Sequence, residues 1–537
     1  MKLFIQDLVL KPDEPNVRLA LARRLGLLEE DILALDILKK SLDARKKQQI
    51  IYRLQVAFDV RDHEGVSRAN PDLVKPYDTA ATPHPLASLN AKAKTLACPP
   101  IIIGSGPAGQ SAAFLFAEAG IPCLVIERGQ AVEQRLRDVN HLRRDGKLDP
   151  ESNYCYGEGG AGTFSDGKLT CGRRHPLIRY LFESWVRFGA PPEILWDSHP
   201  HIGTDYLLRM TKNMRLYMES RGTRFLFGSR LVDLRPGTTT KIQIELADGQ
   251  TFDTDHLILA TGHSARETYQ MLWDRGVSIQ QKPFAMGVRV EHPQDVIDTI
   301  QYGTCHADLG IPAAEYKLAA HEGQRGIWTF CMCPGGHLLP TSAEHGHLAI
   351  NGMSYHARAS GFANAALVVN ILREDYDRGH PLDGMHFQAK LERAAYEMGG
   401  GNYACPAQRL QDFVAGRTST GEMKSTYKPK IVPGRLDQLL PDFVVKSLQA
   451  ALFDYNKRMR GFMTPEALIV GLESKTSAPV VIQRDKEFQS VSHPGLYPTG
   501  EGAGFAGGIV SAGLDGLRVA QHIIMGLQEQ VAIVQQH

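Results

Sequence analysis

The sequence predicts an α/β protein: a dinucleotide-binding domain discontinuous in the chain, an inserted mixed α+β domain, and a small α+β domain in front. Three observations lead there. An all-apolar strand, Ile101-Ile102-Ile103, runs straight into the turn Gly104-Ser105-Gly106-Pro107-Ala108-Gly109 and a helix. A second apolar strand, Leu257-Ile258-Leu259, ends in Ala260-Thr261-Gly262. The segment 496–516 repeats the order of strand, Gly-rich turn and helix after a long stretch of mixed character. Short strands that are apolar throughout mark a parallel sheet covered on both faces.

In chain order, Leu3 to Leu10 reads as a strand, Asn16 to Leu25 as a helix, and Ile32 to Leu42 and Ile50 to Val60 as two strands. Residues 61–97 are polar, carry Pro71, Pro76, Pro83 and Pro85, and read as a linker. The strand at 101, its turn, a helix to Ala119 and a strand from Pro122 to Ile126 make β-turn-α-β, ending in Glu127 and Arg128. Asp205 to Arg221 is helical; a three-strand meander beginning near Leu231, which with Arg128 is a candidate cofactor contact, then leads to the strand at 257. The expected domains are 1–80, 97–275 together with 490–537, and 276–489 between them.

Composition narrows the function classes. The 537 residues carry 60 Lys plus Arg and 59 Asp plus Glu, a formal charge of +1, so no whole-surface nucleic-acid or membrane binder is expected. Eight cysteines without a CxxC are not a disulfide framework. The start, MKLFIQDLVLKPDE, makes a poor signal peptide, and no long uncharged apolar stretch occurs. The expected compartment is the cytoplasm.

GSGPAG alone is a weak signal. Its context gives it meaning: strand before, helix after, and an acid at the end of the next strand. Gly104 permits the tight turn, Gly106 lets backbone approach a pyrophosphate, and Gly109 lets helix and strand pack closely. Ser105, Pro107 and Ala108 complete the turn. The helix N-terminus offers free N–H groups to phosphate, and Glu127 is the expected partner of the ribose hydroxyls.

With this turn, the ATG strand and the C-terminal segment LYPTGEGAGFAGGI (496–509), the chain resembles two-dinucleotide-binding-domain flavoproteins. The resemblance implies FAD. It places Gly500-Glu501 where many relatives have Gly-Asp, and the Gly507-Gly508-Ile509 helix start under the flavin pyrimidine edge. It brings the loop GEGGAGTFSDGK, with Gly162, Thr163, Phe164, Ser165, Gly167 and Lys168, to the pyrophosphate and ring. That loop also nearly fits a P-loop, but Leu169 stands where Ser or Thr is needed. No further strand-GxGxxG-helix follows Gly167, so no built-in nicotinamide domain is expected; a transient visit by NAD(P)H or another electron acceptor stays open.

A closer resemblance covers nearly the whole chain. KKSLDARKK (39–47), PHIGTD (200–205), ATGHSAR (260–266), FAMGVRVEH (284–292), FCMCPGG (330–336) and NGMSYHAR (351–358) are similar to a little-characterised family of bacterial and plastid FAD-dependent dehydrogenases. It implies an FAD-dependent oxidoreductase with a Rossmann-like FAD-binding domain, acting on an unidentified small molecule.

The catalytic residues are not legible. His201 is a candidate acid. Cys331, Cys333 and His337, with His345 and His347, allow a metal site, a redox thiol pair, or a Pro-Gly-Gly turn over buried thiols. The turn is favoured, and no metal is expected. Arg289, Lys317, Arg358 and Lys424 are candidate anion contacts, with solvated surface the favoured reading. The alternative function is RNA-directed flavin chemistry: residues 39–53 hold six basic residues and one acid.

Overall fold

The computed structural model describes residues 2–78 and 98–534, with side chains in the last helix described to 527. The N-terminal unit is a four-stranded antiparallel sheet in the order Ile32–Asp43, Ile51–Val60, Lys2–Leu10, Val74–Tyr77. Helices Val17–Leu25 and His63–Ala69 make the chain order βαββαβ, a ferredoxin-like split βαβ. The Asn16 side chain caps the first helix by accepting from the Leu19 N–H, and Gly26 closes it at φ +70°.

One expectation changes here. Residues 63–77 are not linker but the second helix and an edge strand of this sheet. Val66 and Val74 are buried in its core, and two contacts this widely spaced leave no periodic trace. Residues 79–97 lie outside the described region. The basic segment is partly engaged, while Lys39, Arg45, Lys46 and Lys47 are exposed. Within it Asp43 accepts from both Arg45 and Arg53, and Lys40 Nζ sits 4.2 Å from the Tyr52 ring centroid. The Lys40 backbone pairs with Trp196 and Ser198, and Ile50 is buried in the core of the inserted domain. The hairpin docks the N-terminal unit.

The dinucleotide-fold sheet is five-stranded and wholly parallel: Leu496–Pro498, Leu257–Leu259, Ile101–Ile103, Leu124–Ile126, Arg224–Leu226. Four of these strands are buried throughout, as the unbroken apolar runs predict. The meander is antiparallel, Leu231–Pro236, Ile242–Leu246, Thr251–Thr254. The inserted region forms a seven-stranded sheet whose central strands are Phe362–Ile371, Phe284–Pro293 and Leu468–Glu473. A strand pair, Ile279–Gln281 with Val480–Ile482, joins its two crossings.

The last helix, Ile509–Val534, packs along the first helix of the dinucleotide fold, Pro107–Glu118. Contact is close because glycines face it: a Cβ at Gly516 would lie 2.0 Å from the Ala108 carbonyl oxygen. Gly526, on the same helix, faces open space. Gly516→Ala should therefore destabilise by about 1–3 kcal/mol from overpacking, while Gly526→Ala should stabilise by up to about 1 kcal/mol through helix propensity. Urea unfolding of both variants checks the pair; equal effects would contradict the packing described.

Candidate functional site

Three remote segments meet as bare backbone. Gly104 is at φ +97°, and a Cβ there would lie 2.4 Å from the Ala260 carbonyl oxygen; one at Gly109 would lie 1.9 Å from the Gly104 oxygen. Gly106 is different. Its φ of −71° suits any residue, and a Cβ would meet only Gly160 Cα at 3.7 Å. Neither conformation nor protein contact demands glycine at 106, so space is left there.

The loop from Gly157 to Lys168 lies against this turn, with the Gly159 N–H donating to the Ser105 carbonyl at 2.9 Å. A Cβ at Gly162 would sit 3.3 Å from Pro107 Cγ and 3.2 Å from Ile509 Cγ1. Gly162 is thus wedged between the first residues of two helices, and their positive ends converge on it. Thr163 and Phe164 are buried beneath; the Ser165 hydroxyl donates to Gly162 O and accepts from the Gly167 N–H.

Two buried charges hold the loop. Glu127 is 5 % exposed; one oxygen accepts from the Ser105 N–H and hydroxyl, the other from the Gly129 and Gly157 N–H groups. The carboxylate expected to meet ribose therefore also ties turn to loop. Arg135, 0 % exposed, donates to the carbonyls of Asn153, Tyr154, Gly157, Glu158 and Gly160. Burial lowers its pKa to about 10. Nothing in the sequence singles it out, because its partners are backbone atoms. Arg128 stacks on Tyr156, its guanidinium 3.9 Å from the ring centroid, and pairs with Glu151 and Glu267.

At the C-terminal segment, Gly500 N–H donates to Asp515, which is paired with Arg484 at 2.7 Å. Glu501 accepts from the Gly508 N–H at 3.2 Å and faces His263 Nδ1 at 3.6 Å. Its side chain is 24 % exposed; burial raises its pKa to about 7 against the pull of the Gly508 N–H and Lys282. Burial, reinforced by Lys475, lowers His263 to about 4, and its Nε2 is buried without a partner. Thr261 and Gly262 adjoin this pair; Tyr269 hydroxyl lies 2.6 Å from Gly502 O and 3.1 Å from Gly262 O. A cleft of about 400 Å³ opens beside the helix start, lined by Lys168, Arg173, Lys282, Gly507 and Gly508 among others. Leu231 instead lies in the core beneath the sheet.

The remaining candidates divide. Arg358 is not solvated but buried, its guanidinium gripping Asp166 at 2.7 and 3.1 Å. Burial pushes the Asp166 carboxyl up, and Arg358 pulls it further down, to a net position below 3.8. Arg289 is likewise buried, paired with Glu473 at 2.8 Å. Lys317 and Lys424 are exposed. His201 stacks on His356 with its Nε2 3.2 Å from the His356 carbonyl; burial and Arg358 lower its pKa. His337 stands edge-on to Tyr355, and burial with the Arg143 charge lowers its pKa. Cys331 is half-buried rather than buried, while Cys333 is buried. Among the described residues, the one group of possible metal ligands in close range is Asp298, Cys305 and His306, whose atoms already hydrogen-bond one another.

Comparison with known proteins gives the following. Residues 100–271 match the family profile described as pyridine nucleotide-disulphide oxidoreductase. Residues 283–476 match that described as FAD-dependent protein, C-terminal domain-like, and residues 1–59 a domain of unknown function. A protein of Clostridium beijerinckii described only as uncharacterized is 40% identical over 511 residues, 94% of this chain and 95% of its own. Among solved structures, tetracycline destructase Tet(51) is 10% identical, covering 81% of this chain and 83% of its own, with TM-score 0.35. A flavoprotein/dehydrogenase of Cytophaga hutchinsonii is 13% identical, covering 80% and 79%, with TM-score 0.34. No described helix is long and apolar enough to cross a membrane. This chain is an FAD-dependent oxidoreductase and belongs to one family with its uncharacterized Clostridium relative.

Proposed function

We propose that FAD lies across the three converging segments and that the protein passes hydride between an organic substrate and flavin N5. The single observation that carries the placement is Gly162, held between two helix N-termini beside a Gly106 that no protein contact requires to be glycine. The pyrophosphate takes the space above Gly106, where two positive helix ends face it. The adenosine ribose reaches Glu127 if the Ser105 hydroxyl, the only rotatable donor among its four, swings aside. The ring end lies by Gly507 and Gly508, in the cleft with Lys168 and Lys282. FAD supplies the hydride-accepting ring. The chain supplies position, positive potential and a carboxyl, Glu501, poised to hold or release a proton near neutrality. The cations lining the cleft favour an anionic substrate. A separate acceptor, or NAD(P)H visiting the same cleft, completes the cycle.

A side chain at Gly106 would occupy pyrophosphate space without clashing with protein. Gly106→Val should therefore purify folded but colourless, checked by visible absorbance and circular dichroism; a yellow variant would contradict the placement. Anaerobic exposure of the wild type to a metabolite panel including NADH and NADPH should bleach the flavin with at least one compound. A flavin that no member bleaches would leave it a structural element.

Glu501 also makes a pH prediction. Its pKa in the folded protein, about 7, lies above the ordinary 4.5, so the folded state binds more protons between these values and loses stability as pH rises through them. His263, lowered from 6.5 to about 4, has the opposite slope, stability rising with pH. Glu501→Gln removes only the first. Its stability relative to wild type, in flavin-free protein, should grow from about pH 4.5 to about pH 7 and then level off. A constant difference across that window would rule out the raised carboxyl.

A further inference from the structure

The function above gives the N-terminal unit no task. Lys40 lies in its edge strand, Ile32–Asp43, and both backbone groups of Lys40 face outward. The N–H donates to the Trp196 carbonyl at 2.8 Å, and the carbonyl accepts from the Ser198 N–H at 2.9 Å. An edge strand has such groups free to pair with another segment. A few residues on, that segment pairs with the end of the Gly-rich loop. The Leu169 N–H donates to the Pro200 carbonyl, the Ile202 N–H to the Gly167 carbonyl and the Gly203 N–H to the Asp166 carbonyl, at 2.9, 3.1 and 3.0 Å. Residues 196–203 are therefore a strap, fixed to the N-terminal unit at one end and to the Gly-rich loop at the other.

Between the two attachments stands His199. Its Nδ1 lies 2.5 Å from one Glu315 oxygen, and the other oxygen accepts from Lys168 Nζ at 3.3 Å. Glu315 itself has little freedom. Its backbone carbonyl accepts from the Gln301 side chain at 3.0 Å. The Ala314 N–H donates to Asp298 at 2.9 Å, and the Ala314 carbonyl accepts from Gln294 at 3.1 Å. Three residues of one helix, Gln294–Tyr302, thus pin the backbone that carries this carboxylate. Burial pushes the Glu315 carboxyl up; His199, Lys168 and Arg358 bring it to a net position below the ordinary 4.5, so it is charged at neutral pH. Among the described residues, Lys168 lines the cleft at the helix start and Glu315 does not. A fixed anion stands behind a cation whose four-carbon stem is otherwise flexible.

We propose that Glu315 is a positioning residue that aims Lys168 at the flavin ring, and that the N-terminal unit holds this arrangement through the strap 196–203; the proposal rests on the ring placement given above. A cation held at the ring favours the more negative, reduced flavin. Holding the lysine beforehand removes the cost of ordering its stem from the redox step. The N-terminal unit then acts on the cleft without entering it, and loosening its edge-strand contact releases the lysine.

The test is the two-electron midpoint potential of the bound flavin, measured anaerobically against reference dyes. Lys168→Met should lower it by about 30 mV, a tenfold change for a two-electron couple. Glu315→Gln separates aim from charge. Loss of an anion alone would raise the potential, whereas loss of aim lowers it; in the Lys168→Met background the same change should no longer lower it. Lys40→Pro removes the outward N–H of an edge strand, where proline is tolerated, and should also lower the potential. Lys40→Met keeps that N–H and should match the wild type. If Lys40→Pro does not fold by circular dichroism, His199→Ala, at a side chain 68 % exposed, breaks the link to Glu315 and should lower the potential instead. With Lys168→Met lowered, Glu315→Gln, Lys40→Pro or His199→Ala at or above the wild-type potential overturns the proposal and leaves the ring placement standing. Lys168→Met at the wild-type potential overturns both. Protein that purifies without flavin overturns the placement, and there hydrogen exchange over 196–203 reads the strap alone: faster exchange in Lys40→Pro supports it, and unchanged exchange overturns it.

Discussion

One buried carboxylate organises the dinucleotide-binding half of the molecule. Glu127 ends the second strand of the parallel sheet and gathers four donors, from Ser105, Gly129 and Gly157. A buried charge is tolerable only when its lone pairs are met. Here meeting them fixes the first turn, the end of the second strand and the start of the second Gly-rich loop in one arrangement. The loop then reaches Pro107 and Ile509 through Gly162. The convergence of two helix N-termini follows from that, and with it the positive potential that the proposed function uses.

The inserted domain is joined to this centre by a second buried charge contact. Asp166, in the same loop, receives the bidentate Arg358 guanidinium and the Ser354 hydroxyl from the segment that follows the strand Ile350–Met353. Charge-assisted, two-point contacts of this kind fix orientation as well as distance. Arg289 and Glu473 make a second buried pair inside the sheet, through Arg289 Nε alone. Removing one member of either pair would leave a charge buried alone, which typically costs about 3–5 kcal/mol. Activity and fold are therefore coupled at these residues, and variants there report on both together.

The legible parts of the sequence were the local ones. GSGPAG, its flanking strand and helix, and Glu127 lie within one short stretch, and each residue has a steric or electrostatic duty set by near neighbours. The strands of the inserted domain were not legible. Phe284–Pro293 is buried on both faces along nearly its whole length, and Phe362–Ile371 nearly so, which erases the alternation that marks a strand. Arg358 and Arg289 were expected at the surface because an isolated arginine is usually solvated; their partners lie 192 and 184 residues away. Arg135 left no trace because it reads carbonyl groups, which every residue has. The extra strand at Val74–Tyr77 was hidden by Pro76, which an edge strand tolerates.

The account stands on where the flavin lies. A crystal structure of the protein purified with its own FAD tests that most directly. The account predicts pyrophosphate over Gly106, adenosine beside Glu127, and the ring edge against Gly507 and Gly508. A flavin bound with its adenosine away from Glu127 and its ring away from that helix start would contradict it.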